Sequence, residues 1–403
     1  MKLLIKNSRL VDYKTDKIGD LLIEDGSIKK IEKKIEEDKN IKVLDGKGRL
    51  LMPSFIDTHA HFREPGFEYK ETLESGSRAA LKGGYTAVLL MGNTKPAASS
   101  REIIKHILKK GDELDLIDIL QAGTMTKDIK GESFNHLKDI KNVVKMITDD
   151  GMGVSNNRIM FEIMKYSKKN NLIVMSHAED PSFSEYNMRM AENIMTYRDI
   201  ELGKITGCRL HFAHVSTKEA AQRIIKEKND YPNITFEVTP HHIFSNDSIK
   251  YKVNPPFRTE RDRKYLVECI KKGYVDCIGT DHAPHSKEDK EKGAPGISGI
   301  EIAFQLLYTK LVEEEGLSLC QLSKIISKKP AEILELNKGK LEEGYDGDVV
   351  MIDENAESFI DTNKFKSKGK NNPFHGRKVY GKVLMTFRKG RLMYEEGEKH
   401  DSR

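Results

Sequence analysis

The sequence predicts an α/β fold: a (β/α)8 barrel with a small β-sandwich domain formed by the N- and C-terminal segments. Three observations predict it. Residues 51–339 alternate apolar, strand-like runs with amphipathic helical stretches, residues 1–50 and 340–403 carry short β-favouring runs split by turn residues, and several central apolar runs end on histidine or aspartate. Repeated strand-then-helix units build parallel sheets. Eight of them close a TIM-like barrel whose chemistry gathers at the C-terminal strand ends. At 403 residues the chain suits one such barrel with an appendage.

From the N-terminus, "KLLIKNSRLVD" and "DLLIEDGSIKKI" read as strands, broken by turn chemistry at Lys14 to Lys17 and at Asp25-Gly26. The texture then changes. "YTAVLLMGN" leads into "SSREIIKHILKKG", "NLIVMSHAE" follows a helix, "RLHFAHVS" leads into "TKEAAQRIIKEK", and "VDCIGTDHAPH" runs into a long loop. Ser99 with Glu102, and Ser216 with Glu219, have the S-x-x-E spacing of a capping box at two helix starts. Residues 361–374, "DTNKFKSKGKNNPF", read as a basic surface loop, and "GDVVMID" and "GKVLMTFRKGRLMYEE" return to strand character with a Lys-Gly turn at 389–390.

Charged residues make up 33% of the chain, but the signs nearly cancel at +5 and the lysines are spread along its length. No basic arm or arginine-rich cluster forms, which argues against nucleic-acid binding. Cys208, Cys269, Cys277 and Cys320 show no CxxC pairing, so neither a disulfide framework nor a zinc ribbon is expected, and a reducing cytoplasm is the expected location. No stretch approaches the roughly 18 to 20 apolar residues of a membrane helix and the start lacks a leader pattern, so a soluble, unexported protein is expected.

In "IDTHAHFREPG", His59 and His61 alternate onto one side of a strand, about 7 Å apart along the backbone at the β rise per residue. Two imidazoles on one side can share a metal ion. An isolated HxH also fits satisfied polar residues at a strand end, but three further runs end alike: His177 closes "VMSH", His214 closes "LHFAH", and Asp281, His282 and His285 follow "CIGT". Asp149 and Asp150 end "VVKMIT". Nitrogen and oxygen donors in this mixture suit zinc rather than an all-oxygen calcium cage. Four histidines and two aspartates exceed what one tetrahedral ion needs, so two metals roughly 3.5 to 4 Å apart, sharing a bridging carboxylate and hydroxide, and a hydrolytic reaction, are expected.

The ordered stretches "DTHAHFREPG", "MGNTKP", "TDDG", "HAED", "HVSTKEA", "EVTPHH", "VNPPFR" and "GTDHAPH" resemble the amidohydrolase superfamily and, within it, the bacterial-type dihydroorotases. The resemblance implies reversible closure of N-carbamoyl-L-aspartate to L-dihydroorotate in pyrimidine biosynthesis. By motif, His59, His61 and Asp281 hold one zinc ion, His177 and His214 a second, and Asp150 bridges them. Arg63 would take the substrate carboxylate. His61, Asn93, Asn254, His285 and the backbone at Pro295 and Gly296 match the family's other substrate contacts. Asp281 would act as general base in ring opening and general acid in closure, so opening is expected to gain at high pH and closure at low pH. A homodimer is the default expectation for a soluble enzyme of this kind, and an association with aspartate carbamoyltransferase, the preceding pathway enzyme, stays open.

Several points stay open at this level. Lys145 offers a carboxylated lysine as an alternative bridge to Asp150. Gly92 stands where the family generally has proline, and the His177 to His214 stretch is shorter than in many members. His241 and His242 read as hydrogen-bonding groups near the mouth, His282 as support for the ligands, and His106, His136, His375 and His400 as surface or core residues. The loop after His285 could close the pocket or simply be solvated. A hydantoinase or allantoinase type of cyclic amidohydrolase shares the metals but not a need for Arg63 and Asn93, and a non-catalytic scaffold should have lost ligands that are all present here.

Overall fold

In the computed structural model, which describes residues 1–397, the N-terminal segment forms β1 (Lys2–Val11), β2 (Asp16–Glu24), β3 (Ser27–Glu32), β4 (Lys42–Asp45) and β5 (Leu50–Pro53). The β2–β3 turn has two residues, Asp25 and Gly26, both at positive φ (49° and 86°). That conformation matches the twist of a tight hairpin, and aspartate followed by glycine adopts it at little cost.

Eight parallel strands follow: β6 (Phe55–Ala60), β7 (Tyr85–Leu90), β8 (Asp118–Gln121), β9 (Met146–Ile147), β10 (Ile173–Ser176), β11 (Arg209–Phe212), β12 (Ile234–Val238) and β13 (Cys277–Ile278). The pairings run β6-β7-β8 and β9-β10-β11-β12-β13. Parallel bridges Gly123↔Ile147 and Ala60↔His282 join the two groups at both seams and close the barrel. Every residue of β6, β7 and β10 is buried, because helices cover one face and the barrel interior the other. At the foot of the barrel Phe55 stacks on Phe304, with ring centroids 5.0 Å apart, and meets Tyr85 edge-on. Such a fully buried aromatic contributes about 1.5 to 3 kcal/mol.

The C-terminal segment adds β14 (Val349–Phe359), β15 (Lys378–Arg388) and β16 (Arg391–Glu395), giving the sheet order β16-β15-β14-β5-β1-β2-β3, with β4 on β1. Leu3, Ile5, Leu21, Ile23, Val349 and Met351 form its core, so the two chain ends share one apolar layer.

Two sequence expectations need correction. Neither S-x-x-E pair caps its helix: Ser100 caps Arg101–Leu114 and Thr217 caps Lys218–Glu227. Ser99 donates to Asp128 at 2.6 Å and Ser216 to the buried Glu192, so other carboxylates had already taken both hydroxyls. Residues 361–374 are not a free surface loop either. Phe365 and Phe374 are buried, and Asn371 reaches under the loop after β13. Of the histidines set aside, His106 is exposed, His136 is buried against Thr124, His375 lies beside Thr362, and His400 lies outside the described residues.

Candidate metal centre

The ends of β6, β9, β10, β11 and β13 bring His59, His61, Asp150, His177, His214 and Asp281 together at one mouth of the barrel, all buried. Asp150 stands at the centre. Its Oδ1 lies 3.3 Å from His59 Nε2, 3.3 Å from His177 Nδ1 and 3.7 Å from His214 Nε2, and its Oδ2 lies 3.4 Å from His61 Nε2. Asp281 Oδ1 is 3.2 Å from His61 Nε2 and 3.7 Å from His59 Nε2. The donors fall into two triads that share Asp150, His59–His61–Asp150 and Asp150–His177–His214.

Three backbone positions here are unusual for side-chain-bearing residues: Arg63 (φ 62°), His214 (φ 33°) and Asp281 (φ 48°) all lie in the left-handed region. Each costs of order 1 kcal/mol and persists only because surrounding bonds over-determine it. Asp281 N donates to His59 O at 2.9 Å, and Asp57 accepts from Thr280 N at 2.8 Å and from His59 N at 3.1 Å. Burial pushes the Asp57 carboxyl up to about 7.

The histidines are held from behind, which decides which ring nitrogen faces inward. His59 Nδ1 bonds Glu237 at 2.8 Å, His61 Nδ1 bonds Asn93 Oδ1 at 3.0 Å, and His177 Nε2 bonds Glu179 at 2.9 Å. A hydrogen bond on the outer nitrogen leaves the inner lone pair for a metal. The inner His59 Nε2 is buried with no hydrogen-bond partner, and His177 Nδ1 and His214 Nε2 face one another at 2.8 Å. Zinc bonds of about 2.0 to 2.1 Å in a tetrahedron set neighbouring donors about 3.3 Å apart, so the donor set fits metal ions.

The charges agree with that fit. Burial alone would raise Asp150, but His59, His177 and His214 hold it well below the usual carboxylate range. Burial likewise opposes charge on His177, yet Asp150 and Glu179 lift it to about 9. Burial works against the His59 cation too, and Asp150 with Glu237 still holds it well above the usual imidazole range. The carboxylates thus favour positive charge beside Asp150, at His59 and His177, whereas burial lowers His61.

Opposite the cluster lie Arg63, Asn93, Asn254, His285, Pro295 and Gly296, lining with it a cavity of about 190 Å³. Arg63 is half-buried, and its two hydrogen-bond partners, Pro284 O at 3.2 Å and His285 Nε2 at 3.1 Å, are both uncharged groups. Burial, with Arg63 and Lys70 beside it, lowers His285 to about 3, which keeps its ring neutral. Asn254 donates to Glu179 at 2.8 Å. Gly296 has φ 132° and a Cβ there would fall 2.7 Å from Ala283 Cβ, so the close turn needs glycine. A second cavity of about 210 Å³, between the barrel foot and the terminal sheet, contains none of these residues.

The model of the amidohydrolase family matches residues 50–393. The chain belongs to the amidohydrolase family. Its relatives include a dihydroorotase of Clostridium botulinum, 52% identical over 98% of this chain and 100% of the relative. A dihydroorotase of Staphylococcus epidermidis is 39% identical over 98% of this chain and 99% of the relative. Among solved structures, the L-hydantoinase of Arthrobacter aurescens superposes with a TM-score of 0.91 at 24% identity, covering 98% of this chain and 96% of its own. A Thermus D-hydantoinase gives 0.84 at 24%, covering 98% and 97%. At these identities the solved structures show the amidohydrolase fold, and the family makes the chain a metal-dependent hydrolase.

Within this amidohydrolase mouth the remaining candidates separate cleanly. Lys145 points away, its Nζ bonding Leu334 O at 3.1 Å and Glu335 at 3.2 Å. Asp149 turns its carboxylate to the backbone N–H groups of Met125 and Thr126, which leaves Asp150 as the inward member of the pair. His242 bonds Thr239 and Pro255 O, and His282 accepts from Gly299 N at 3.1 Å and faces Glu71 at 3.4 Å. At Gly92 a Cβ would lie 3.1 Å from Thr124 Cγ2, so the position is tight but not closed to a side chain.

Two important groups escape a reading of the sequence. Asn371, from the C-terminal segment, accepts from His285 N at 2.9 Å and donates to Ala283 O and Gly296 O, tying down the loop that lines the cavity. Glu237, on β12, is fully buried and accepts from Thr58, from His59 Nδ1, from His211 Nε2 at 3.2 Å and from His214 N at 3.3 Å. It thus orients a donor in each triad. A Cβ on Gly279 would meet its carboxylate at 2.5 Å, so that glycine makes room for it. Glu237→Gln is expected to lower metal affinity about 10- to 100-fold, measured by chelator competition; unchanged affinity would show that His59 keeps its orientation without the carboxylate.

Proposed function

We propose that this chain is a dihydroorotase with two zinc ions per subunit, closing N-carbamoyl-L-aspartate to L-dihydroorotate and reopening it. The observation that carries the reading is Arg63: a half-buried guanidinium with no anionic partner within salt-bridge distance among the described residues, lining one small cavity with the histidine–aspartate cluster. A half-buried cation without a counter-ion favours an anionic ligand, and a ring carboxylate supplies one. The dihydroorotase relatives at 52% and 39% identity support the same substrate.

When bound, the zinc ions polarise the scissile carbonyl and lower the pKa of the attacking water. The chain's own groups do the rest. Arg63, with Asn254 and the Pro295-Gly296 backbone, orients the ring so that its amide faces Asp281. In opening, Asp281 accepts the proton of the attacking water and returns it to the leaving ring nitrogen; in closure it removes the proton from the carbamoyl nitrogen and delivers it to the departing oxygen. His61 and His59 hold Asp281 ionised against its burial, which suits the base role. The same reading places the protein in the cytoplasm, as a homodimer, with aspartate carbamoyltransferase as the partner that supplies its substrate. No helix among the described residues is long and apolar enough to cross a membrane.

The deciding experiment follows ring opening of L-dihydroorotate by ultraviolet absorbance with metal-replete and chelated protein, using dihydrouracil as the carboxylate-free control. Metal-dependent turnover of dihydroorotate alone is expected. Turnover of dihydrouracil alone would assign a hydantoinase-type activity, and no turnover with both metals bound would assign a scaffold. Arg63→Met is expected to reduce kcat/KM for dihydroorotate about 10- to 100-fold, the size of a lost charged hydrogen-bond pair, mainly through KM. An unchanged KM would remove Arg63 from the carboxylate site.

A further inference from the structure

The His285 ring has a cation at each of its nitrogens. Its Nε2 is 3.1 Å from Arg63 Nη2, and its Nδ1 is 3.3 Å from the ammonium of Lys70, which comes from the segment between β6 and the helix Leu73–Lys82. Guanidinium and ammonium groups carry only donors, while a neutral imidazole offers one acceptor nitrogen and one N–H. One of the two contacts must therefore set a donor against a donor. A protonated ring would do so on both sides.

The surroundings of Lys70 decide which contact that is. Its Nζ is 3.3 Å from Asp289 Oδ2 and lies over the Phe67 and Tyr69 rings, 5.5 and 5.4 Å from their centroids. A carboxylate and two aromatic faces favour the charged ammonium, which has no lone pair to accept an Nδ1–H. Asp289 is itself held, accepting from Ser286 N at 3.2 Å and from Ser286 Oγ at 3.0 Å. Its Oδ2 is 4.0 Å from His285 Nδ1, too far for a hydrogen bond. The Arg63 end is freer: Nε donates to Pro284 O, and the half-buried guanidinium borders the cavity, where Nη2 can meet another acceptor.

We propose that Lys70 is a positioning residue: by donating to Nδ1 it holds His285 as the Nε2–H tautomer, so that the ring and Arg63 present two donors to one anion in the cavity. A carboxylate placed there accepts from both, which replaces an unfavourable contact between donors with two charge-assisted hydrogen bonds. The opposite tautomer would turn a bare lone pair toward the same anion. Lys70 thus favours a carboxylate-bearing ring through His285, although it does not itself line the cavity. The identity of the anion rests on the dihydroorotase reading; the tautomer does not.

Two measurements on the zinc-loaded full chain test it. With isotope-labelled histidine, the nitrogen NMR shifts of His285, assigned by their loss in His285→Gln, are expected to show Nε2 protonated and Nδ1 bare in the wild type without substrate. In Lys70→Met the donor to Nδ1 is gone while Asp289 remains, so the proton is expected to move to Nδ1. KM for L-dihydroorotate is expected to rise about tenfold in that variant, the lower end for a lost hydrogen bond to a charged group, with kcat within about twofold. A wild-type ring protonated at Nδ1, or an unmoved proton in Lys70→Met, would overturn the proposal, the latter even if KM rises, because charge alone would then account for Lys70. An unchanged KM in a variant whose proton has moved would overturn it too. Should Lys70→Met fail to fold, the wild-type spectrum still decides. The shifts are read without substrate, so absent turnover of dihydroorotate would remove the dihydroorotase reading and leave the tautomer standing.

Discussion

Asp281→Asn is expected to lower kcat about 10³- to 10⁴-fold in both directions, the range that a positioned general acid–base group contributes. Asparagine keeps the shape and one oxygen near His61 and His59, so folding should survive, but it cannot shuttle a proton. The pH profile needs care in sign. Closure converts a dianion to a monoanion and takes up one proton, so the ratio of the two directions shifts tenfold per pH unit whichever residue carries the proton. Opposite slopes alone therefore do not identify Asp281. What identifies it is a single ionisation seen from both sides: opening rises and levels off as the carboxylate ionises, closure falls above the same pH, and both inflections vanish in Asp281→Asn. Inflections that survive in the variant would move the proton transfer to another group.

The cluster of six ligand candidates was legible in the sequence because each sits at the end of an apolar run, and strand-end residues in a parallel barrel converge by construction. The eight-strand closure was less legible: β9 and β13 have only two paired residues each, too short for a periodicity to register. Glu237 was invisible for a different reason. In "ITFEV" a lone glutamate reads as the solvent-facing position of an alternating strand, and only the register of β12 against β11 and β13 shows that this face is the barrel interior. An acidic residue inside a barrel strand followed by "TPHH" is the faint signal that was available. Asn371 offered none, since its partners at 283, 285 and 296 are distant in sequence and it lies in a stretch whose lysines suggest solvent. Capping failed locally because a hydroxyl with a buried carboxylate beside it prefers the charged partner.

Asp150→Ala should abolish activity and reduce bound metal to one equivalent or less, whereas Lys145→Ala should leave both unchanged. The asymmetry follows from position. Asp150 is the only carboxylate among the described residues that lies within 4 Å of a ring nitrogen from all four histidines. Removing it leaves four imidazoles around an uncompensated space, so two like-charged ions would face each other without a shared anion. Lys145 instead has a 44% exposed side chain at the far end of β9, bonded to Glu335 and to backbone carbonyls. A lysine that bridged the metals would have to reach the cluster, and the Lys145 Nζ is instead held by Leu334 O and Glu335. Metal content by mass spectrometry separates the two outcomes without relying on turnover. Two full equivalents in Asp150→Ala, or metal loss in Lys145→Ala, would show that the bridge lies elsewhere.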